Sequence, residues 1–516
     1  MKSDGKDLSK ELYKQLRAFS CVELWNVEVP RFDKATPAER SARVSLIRAV
    51  GVVFAEHGSI SQKTQVREWL KGLLNDPAEK IRRYAMAALP KLGAGEGEEA
   101  ELLKVLDRAS GEREKKFLGR ALGKIGGEAT LQAIRQQGDD SLGHAALKVQ
   151  ANVARNQSPT HIQLDQKLTA YQGLLIHLRG RRGLEQFMRA EVEEKLKRNA
   201  KFRMTDVRSG LVALMPVAPF TLADIYALRC FGSVGFVLGS EEKNEQEDSW
   251  EALAQIIGST YAQRILTAFT TGSLRYRLDF VGKGHQRGAV QTVANRAYAL
   301  NPGVINDPQE APWTISVYPQ GRRRLVELSP KSASDPRFTY RQQDVPAASH
   351  PPLAACLARM AGREEHEVVW DPFCGSGIEL IERSLLGGVD TVYGSDLSAE
   401  AVDITEKNIA AANLKLKQAK VACVDFRDFA KQELGPESVS LIISNPPLGK
   451  RVPIPNLRGL IYDLIDVAAM VLKPGGRLVF ANPIPMENPP RLLKLRTRQV
   501  VDFGGFDCRV EKYVKS

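Results

Sequence analysis

The stretch Asp371-Pro-Phe-Cys-Gly-Ser-Gly377 limits what this chain can fold into more than any other. An apolar run, Glu367-Val-Val-Trp370, leads into it, and a helical pattern from Ile378 to Leu386 leads out. Strand, glycine turn and helix in that order let a backbone approach a nucleotide-type ligand: glycine carries no Cβ, and a helix start offers free N–H groups. Gly-x-Gly alone is a weak signal, but the next segments agree with it. Thr391–Leu397 reads as a second strand ending in Asp396, about where such folds set an acid over ribose hydroxyls. A carboxylate only accepts, so it suits a diol that must donate. After a helix from Ala399 to Ala412, Lys420–Phe426 reads as a third strand holding Asp425. The fourth, Ser438–Ser444, runs into Asn445-Pro-Pro-Leu-Gly-Lys-Arg451. Four strands in sequence place four polar turns on one edge of a doubly wound sheet, where ligands bind.

Asp371–Gly377 with Glu379, Gly394-Ser-Asp396, Asp425 and Asn445-Pro-Pro-x-Gly-x-Arg451 together resemble a class I S-adenosylmethionine-dependent methyltransferase. More narrowly, they resemble the RNA methyltransferases that carry a THUMP domain and act on guanosine N2. The resemblance is strong over Arg337 to Ser516, weaker over about 165–335 and absent before that. A hydride-transfer enzyme has no use for Asn-Pro-Pro. The resemblance implies S-adenosyl-L-methionine as cofactor. It sets Asp371 and the backbone of Phe373, Cys374, Gly375, Ser376 and Gly377 against the methionine half, and Asp396 with Leu397 at the ribose. Asp425 accepts from the adenine amine, the Phe426 N–H lies near a ring nitrogen, and Asn445 stands where cofactor and substrate meet. Ser349 and His350 precede a lead-in helix and line the methionine end, His350 as a packing or capping residue. Cys374 has no companion cysteine or base and reads as a small loop residue. The turn Lys473-Pro-Gly-Gly476 is familiar before the fifth strand of this fold.

The chemistry expected at Asn445 follows from its target. An exocyclic guanine or adenine amine is a poor nucleophile, because its lone pair is delocalised into the ring. A sulfonium methyl is already activated, so the protein's task is alignment and electrostatics more than base strength. The Asn445 side-chain carbonyl and the Pro446 backbone carbonyl are two acceptors for the two amine N–H groups. They localise the lone pair and stabilise the positive charge that develops on nitrogen. Pro446 and Pro447 stiffen the loop and bring no competing N–H. One position departs from the pattern. Amine methyltransferases usually carry an aromatic residue after Asn-Pro-Pro on which a flipped base stacks, and here it is Leu448. Gly449 and Arg451 keep the pattern, Arg451 facing a phosphate or the base.

At 516 residues the chain needs several cores. A lead-in at 1–40, with one amphipathic helix over Leu8–Phe19, comes first. From 41 to 157 the pattern is helical, and two stretches rhyme at a spacing of about 33: Ala87-Ala-Leu-Pro-Lys-Leu-Gly93 and Arg120-Ala-Leu-Gly-Lys-Ile-Gly126. A third partial copy lies at Ser141–Leu147. The spacing resembles a HEAT-type array of stacked helix pairs, which serves either as a docking surface for RNA or protein or as a helical cap. A linker at Asn156–Thr160 precedes an α+β block at 165–330. Strands are expected there at Leu174–Leu178, Leu211–Met215, Arg275–Val281, Trp313–Val317 and Arg324–Leu328. Helices are expected over Gly183–Lys197, Leu222–Arg229 and Gln286–Tyr298. The block resembles THUMP with its preceding ferredoxin-like region. Ser329–Pro336 is a second linker, and 337–516 is the methyltransferase region. The expected fold is thus an all-α array, an α+β THUMP-like middle and a C-terminal Rossmann-like domain, a mostly parallel seven-stranded sheet with an antiparallel last strand.

A net charge of +12 favours a polyanionic partner. Candidate RNA contacts are Arg179, Arg181, Arg182, Lys283, Arg322, Arg323 and Arg451, and the partner expected is structured RNA, tRNA or rRNA. The basic run Arg491–Arg498 either touches RNA or caps a surface helix. Six scattered cysteines without a Cys-x-x-Cys pair, no signal-peptide core after Met1–Lys6 and no apolar run near the roughly 20 residues of a membrane span point to the cytoplasm. The seven histidines form no ligand cluster, so no metal site is expected. Two other readings stay open: amino-group methylation of DNA adenine or protein glutamine, and an RNA-binding scaffold that keeps the fold without turnover.

Overall fold

Three helix pairs recur in the first part of the chain: Ser45–His57 with Ile60–Leu73, Glu79–Ala88 with Glu96–Arg108, and Glu112–Ile125 with Glu128–Gln137. These come from a computed structural model, which describes residues 4–516 apart from 94, 110, 138–141, 143–144, 147–148, 150–152, 154–158, 243–248, 283, 285, 332–334, 347, 450–453 and 486–491. The first helices of successive pairs stack on one another. Arg82 reaches across one such step to Glu114 at 2.5 Å. One pair cannot bury its own apolar face, which is why the pairs stack. The core does not stop at residue 40: Leu16, Leu24, Val29 and Phe32 bury with Phe54, Leu70, Ile81 and Leu118. Most of the third partial repeat and of the first linker lies outside the described residues, as do positions 332–334 of the second. Met1–Pro159 forms one unit and Thr160–Ser516 another. No described helix is long and apolar enough to cross a membrane.

The second unit is built on two large sheets. The short strands β1 (His161–Ile162) and β6 (Thr270–Thr271) pair separately. The eight-stranded sheet contains β2 (Ile176–Arg179), β3 (Phe202–Arg208), β4 (Leu211–Pro216), β5 (Ser233–Glu242), β7 (Leu274–Phe280), β8 (Val304–Asn306), β9 (Trp313–Gln320) and β10 (Arg323–Pro330). Its order is β3-β4-β2-β5-β10-β9-β7-β8. Every strand expected from the sequence is present within a few residues, and so are the helices Glu185–Arg198, Leu222–Tyr226 and Arg287–Leu300. Unforeseen are the short pair β1 and β6, β3, β8, the helices Ser249–Ile257 and Thr260–Ala268, and β5 at the sheet's centre. Glycines at 235 and 239 interrupt the alternation of β5. Gly235 is required there: a Cβ would stand 2.6 Å from the carboxylate of Glu327.

The C-terminal sheet has seven strands: β11 (Glu367–Asp371), β12 (Val389–Asp396), β13 (Gln418–Cys423), β14 (Val439–Ser444), β15 (Leu472–Asn482), β16 (Leu493–Asp502) and β17 (Asp507–Lys515). Their order, β13-β12-β11-β14-β15-β17-β16, is doubly wound, with β11 to β15 parallel and β17 antiparallel to its neighbours. The Lys473–Gly476 turn lies inside β15, where its pairing with β14 shifts between Val439 and Leu441. The basic run Leu493–Arg498 is edge strand rather than helix; residue 491 is not described.

The two sheets share an apolar core that runs from Phe220 and Phe236 to Leu357, Val369 and Ile443. Charged contacts fix their mutual position. Arg229 donates to both Glu382 oxygens at 2.7 and 2.8 Å, and Arg359 pairs with Glu194 at 2.8 Å. The Asp502 N–H donates to the Arg182 carbonyl at 3.0 Å, beside the β16–β17 hairpin. The C-terminal sheet is therefore fixed to the eight-stranded one by packing and by these bonds.

Candidate active site

Parallel strands all end on one side, so the polar residues after β11, β12, β13 and β14 meet at one edge. At the centre is Asp371, fully buried. Its Oδ1 accepts from Ser444 Oγ at 2.5 Å and from the Phe373 N–H at 3.0 Å, while Oδ2 is buried with no hydrogen-bond partner among the described residues. Burial pushes this carboxyl well above the usual range, and the nearby charges of Glu379 and Asp396 push it further.

The glycine turn wraps the next carboxylate. Gly375 and Gly377 have φ of +53° and +77°, in the left-handed region. At Gly377 a Cβ would also meet Thr405 at 2.8 Å. This conformation turns the Gly375 N–H onto Asp396 Oδ2 at 3.0 Å, and Asp396 Oδ1 accepts from the Ser398 N–H at 3.0 Å. Asn408, buried on the following helix, donates to the Ser376 carbonyl at 2.9 Å and holds the turn from behind. Cys374 is buried, and burial followed by the charges of Asp371 and Asp396 keeps its thiol protonated, which makes it a packing group.

Beside Asp396 is an apolar wall. Leu397 is 75% exposed, and the rings of Phe373 and Phe426 lie 5.0 Å apart. Asp425 caps the helix Phe426–Gln432, accepting from the Arg427 N–H at 2.8 Å, and pairs with the Arg427 guanidinium at 2.8 Å. Arg427 lies over the Phe426 ring and pairs with Asp463 at 2.7 Å. Asp425 is thus partly engaged within its own chain.

Asn445 follows β14, with Pro446 buried behind it. Its Nδ2 donates to Ser349 Oγ at 2.8 Å, and Ser349 donates in turn to Glu379. Oδ1 of Asn445 is buried and accepts nothing among the described residues. Glu379, in the first turn of Ile378–Leu385, is buried, and burial pushes its carboxyl up to about 6. His350 reaches solvent in part, yet desolvation and the charges of Arg181, Arg341 and Arg337 lower it to about 4, so it is neutral at neutral pH. Leu448 is half-buried and packs on the core shared by the two sheets, and Pro447 is half-buried beside it.

The edge fits a ligand that is cationic at one end and carries a diol and an apolar ring at the other. Asp371 is a buried carboxylate without a cation among the described residues, and its orphaned Oδ2 is an acceptor fit for an ammonium group. Asp396 offers carboxylate lone pairs beside Leu397 and the aromatic pair. S-adenosylmethionine has those parts in that order.

Sequence reasoning named Asp371, Phe373–Gly377, Asp396, Leu397, Asp425, Phe426 and Asn445–Leu448, and the structure gathers them on this edge. It did not find Ser444, Asn408 or Arg427, nor the link from Asn445 through Ser349 to Glu379. A trace of that link was present: Glu379 interrupts the inward, apolar face of its helix.

Several of the arginines expected at RNA have partners within the chain. Arg179 donates to the buried Glu327 at 2.8 Å and lies 4.1 Å from the Tyr318 ring centroid. Burial works to raise the Glu327 carboxyl, but His177 and Arg179 outweigh it and hold it low. Arg181 donates to the Asp502 carbonyl at 2.9 Å, and Arg182 pairs with Asp507 at 2.6 Å. These three thus have partners within the second unit. Arg323 pairs with Glu242 at 2.9 Å, whereas Arg322 is exposed. Lys283 and Arg451 lie outside the described residues.

Residues 339–505 match a family model described as RMKL-like, methyltransferase domain. The chain is 32% identical over 145 residues to a tRNA (guanine(10)-N2)-dimethyltransferase of Methanocaldococcus jannaschii, a match spanning 28% of this chain and 40% of that protein. It is 33% identical over 133 residues to a probable tRNA (guanine(10)-N2)-dimethyltransferase of Methanothermococcus thermolithotrophicus, spanning 25% of this chain and 78% of that protein. The match thus spans well under two thirds of the first relative. Among solved structures, TrmN from Thermus thermophilus superposes with a TM-score of 0.53 at 21% identity, over 66% of this chain and all of that one. At that identity the likeness is one of fold.

Proposed function

The chain belongs to the S-adenosylmethionine-dependent methyltransferases related to the tRNA guanine-N2-methyltransferases, and from that premise we propose that it methylates the exocyclic N2 amine of guanosine in a structured RNA, tRNA or rRNA. The observation that carries this reading is the buried Oδ1 of Asn445, an acceptor that no donor among the described residues meets. Leaving such an atom unpaired costs about 1–3 kcal/mol, and an amine N–H relieves that cost.

S-adenosylmethionine supplies an electrophilic methyl group. In our reading Asp371 accepts from its ammonium group, Asp396 takes the ribose hydroxyls, and Leu397, Phe373 and Phe426 border the adenine, with Asp425 at its amine. Asn445 Oδ1 and the Pro446 carbonyl accept the two N–H groups of the target amine. They aim its lone pair at the methyl group, whose bond to sulfur breaks to leave the neutral thioether, and they stabilise the charge that nitrogen carries until it gives one proton to water. The base reaches them unpaired or flipped out. Leu448, seated on the core, is not free to stack on it, so substrate affinity rests on other surfaces. We read the eight-stranded region as the THUMP-type RNA-binding part, the helical array as HEAT-type, and the protein as cytoplasmic, where its six free cysteines stay reduced.

The test is nucleoside mass spectrometry on cellular tRNA and rRNA, separated and incubated with the protein and S-adenosylmethionine. N2-methylguanosine should form with the wild type. With Asn445→Ala it should fall by about a hundredfold or more while cofactor affinity is kept. Equal product from the mutant refutes the role of Asn445. No methylated nucleoside, despite demonstrated cofactor binding, refutes the RNA assignment and favours DNA, protein or the scaffold reading.

A further inference from the structure

We propose that Ser349 and Glu379 are positioning residues that lock the amide of Asn445 in the one orientation that presents its oxygen to the target amine. This rests on the reading of Asn445 given above. The three side chains come from distant parts of the chain: the turn before the helix Pro351–Ala361, the first turn of the helix Ile378–Leu385, and the end of β14. They form a single line of hydrogen bonds, Asn445 Nδ2 to Ser349 Oγ at 2.8 Å, and Ser349 Oγ to Glu379.

The direction of that line follows from counting protons. An ionised carboxylate only accepts, so Ser349 must give its single hydroxyl proton to Glu379. Its oxygen then offers Asn445 lone pairs alone, and the amide answers with N–H. Turning the amide over would set Oδ1 against those lone pairs and leave two donors on the substrate side. At pH 8 the Glu379 carboxyl, which burial pushes up to about 6, is ionised and the direction is fixed. Ser349 and Glu379 are both nearly inaccessible, 8% and 3% exposed, so water does not compete for these bonds. Without the line, Asn445 presents oxygen or NH₂ to the substrate with little preference, and an NH₂ repels the amine it should hold.

The experiment measures kcat, the KM for bulk tRNA, the calorimetric Kd for S-adenosylmethionine and the melting temperature at pH 8. The variants are Ser349→Ala, Ser349→Thr, Glu379→Gln and, as reference, Asn445→Ala. Glu379→Gln keeps shape while allowing donation as well as acceptance, so it removes only the direction. We expect kcat to fall about tenfold for Glu379→Gln and on the order of a hundredfold for Ser349→Ala. KM and Kd should stay within about twofold of wild type, and Ser349→Thr, which keeps the hydroxyl, should recover most of the loss. Undiminished kcat in Ser349→Ala and Glu379→Gln, with Asn445→Ala inactive, overturns the relay while sparing the role of Asn445. A Kd that weakens in proportion to kcat also overturns it, since the pair would then be lining the cofactor. Full activity of Asn445→Ala removes the premise and the relay together.

Discussion

Strand β11 buries a carboxylate at each end and treats the two in opposite ways. Glu367, fully buried where the strand begins, is held by the guanidinium groups of Arg383 and Arg477. Asp371, equally buried where it ends, forms no ion pair among the described residues. Its neighbours Glu379 and Asp396 are acids too. Taking a carboxylate out of water is expensive unless an opposite charge comes with it. The protein builds in the counter-ion at one end and leaves it out at the other. The first end is structure. The second, in the reading proposed above, is a cation site, and the cofactor's charge is what it lacks. The eight-stranded sheet follows the first pattern, with Glu327 enclosed by His177 and Arg179.

The largest effect expected is on the structural end. Glu367→Ala leaves the buried Arg383 guanidinium without its acid and Arg477 with only the half-exposed Glu364 at 3.3 Å, and removing one partner of such a set costs about 3–5 kcal/mol. Asp371→Asn should cost under about 1 kcal/mol. The amide oxygen still accepts from Ser444 and Phe373, and the carboxyl it replaces was disfavoured by burial and its acidic neighbours. Urea unfolding of the two variants without cofactor measures both. Similar losses would erase the distinction between the two ends.

The same Asp371→Asn variant should then fail in the other assay. Replacing a charged acceptor of an ammonium by a neutral amide removes about 2 kcal/mol, roughly a thirtyfold weaker Kd for S-adenosylmethionine by calorimetry. An unchanged Kd would mean that Asp371, too, is only structural.

A third consequence concerns pH. Burial and the charges of Glu379 and Asp396 raise the Asp371 carboxyl well above its usual range. A raised acid holds a proton in the free protein that a bound cation displaces, so binding releases that proton at acid pH. Affinity should therefore fall as pH drops through that raised range, by up to about tenfold per unit, and level off above it. Affinity that is flat from pH 5 to 8 would show that Asp371 does not sense the cofactor.

Part of this arrangement was legible in the sequence. Asp371, Asp396 and Asn445 stand at strand ends next to unusual backbone, and glycines or prolines mark such places. The positive φ at Gly375 and Gly377 is why those residues are glycine, and the motif could be read from them. The bonds between the marked places were not legible. Ser349 and Glu379 are 30 residues apart, and Ser444 and Asp371 are 73. A serine and an acid leave no periodic trace of such pairing. The partners of charged residues were hidden for a related reason. Arg179 looked available for phosphate because the acid it serves, Glu327, stands 148 residues away in another strand. The glycines of β5 hid the central strand for the same cause, since Gly235 makes room for that acid.

The smallest effect tests that last contrast among arginines. Arg182 has its partner, Asp507, and both are about half exposed, so the pair is worth under about 1 kcal/mol. Arg182→Ala should lower stability by that little and leave RNA affinity and its salt dependence unchanged. Arg322 is exposed and forms no ion pair among the described residues. If it meets a phosphate, Arg322→Ala should weaken RNA binding uniformly and reduce the slope of log affinity against log salt by about one. Filter binding of bulk tRNA from low to moderate salt separates the two variants. Equal slopes for Arg322→Ala and wild type would put the RNA surface elsewhere. A reduced slope for Arg182→Ala would mean that an arginine with a built-in partner still serves the nucleic acid.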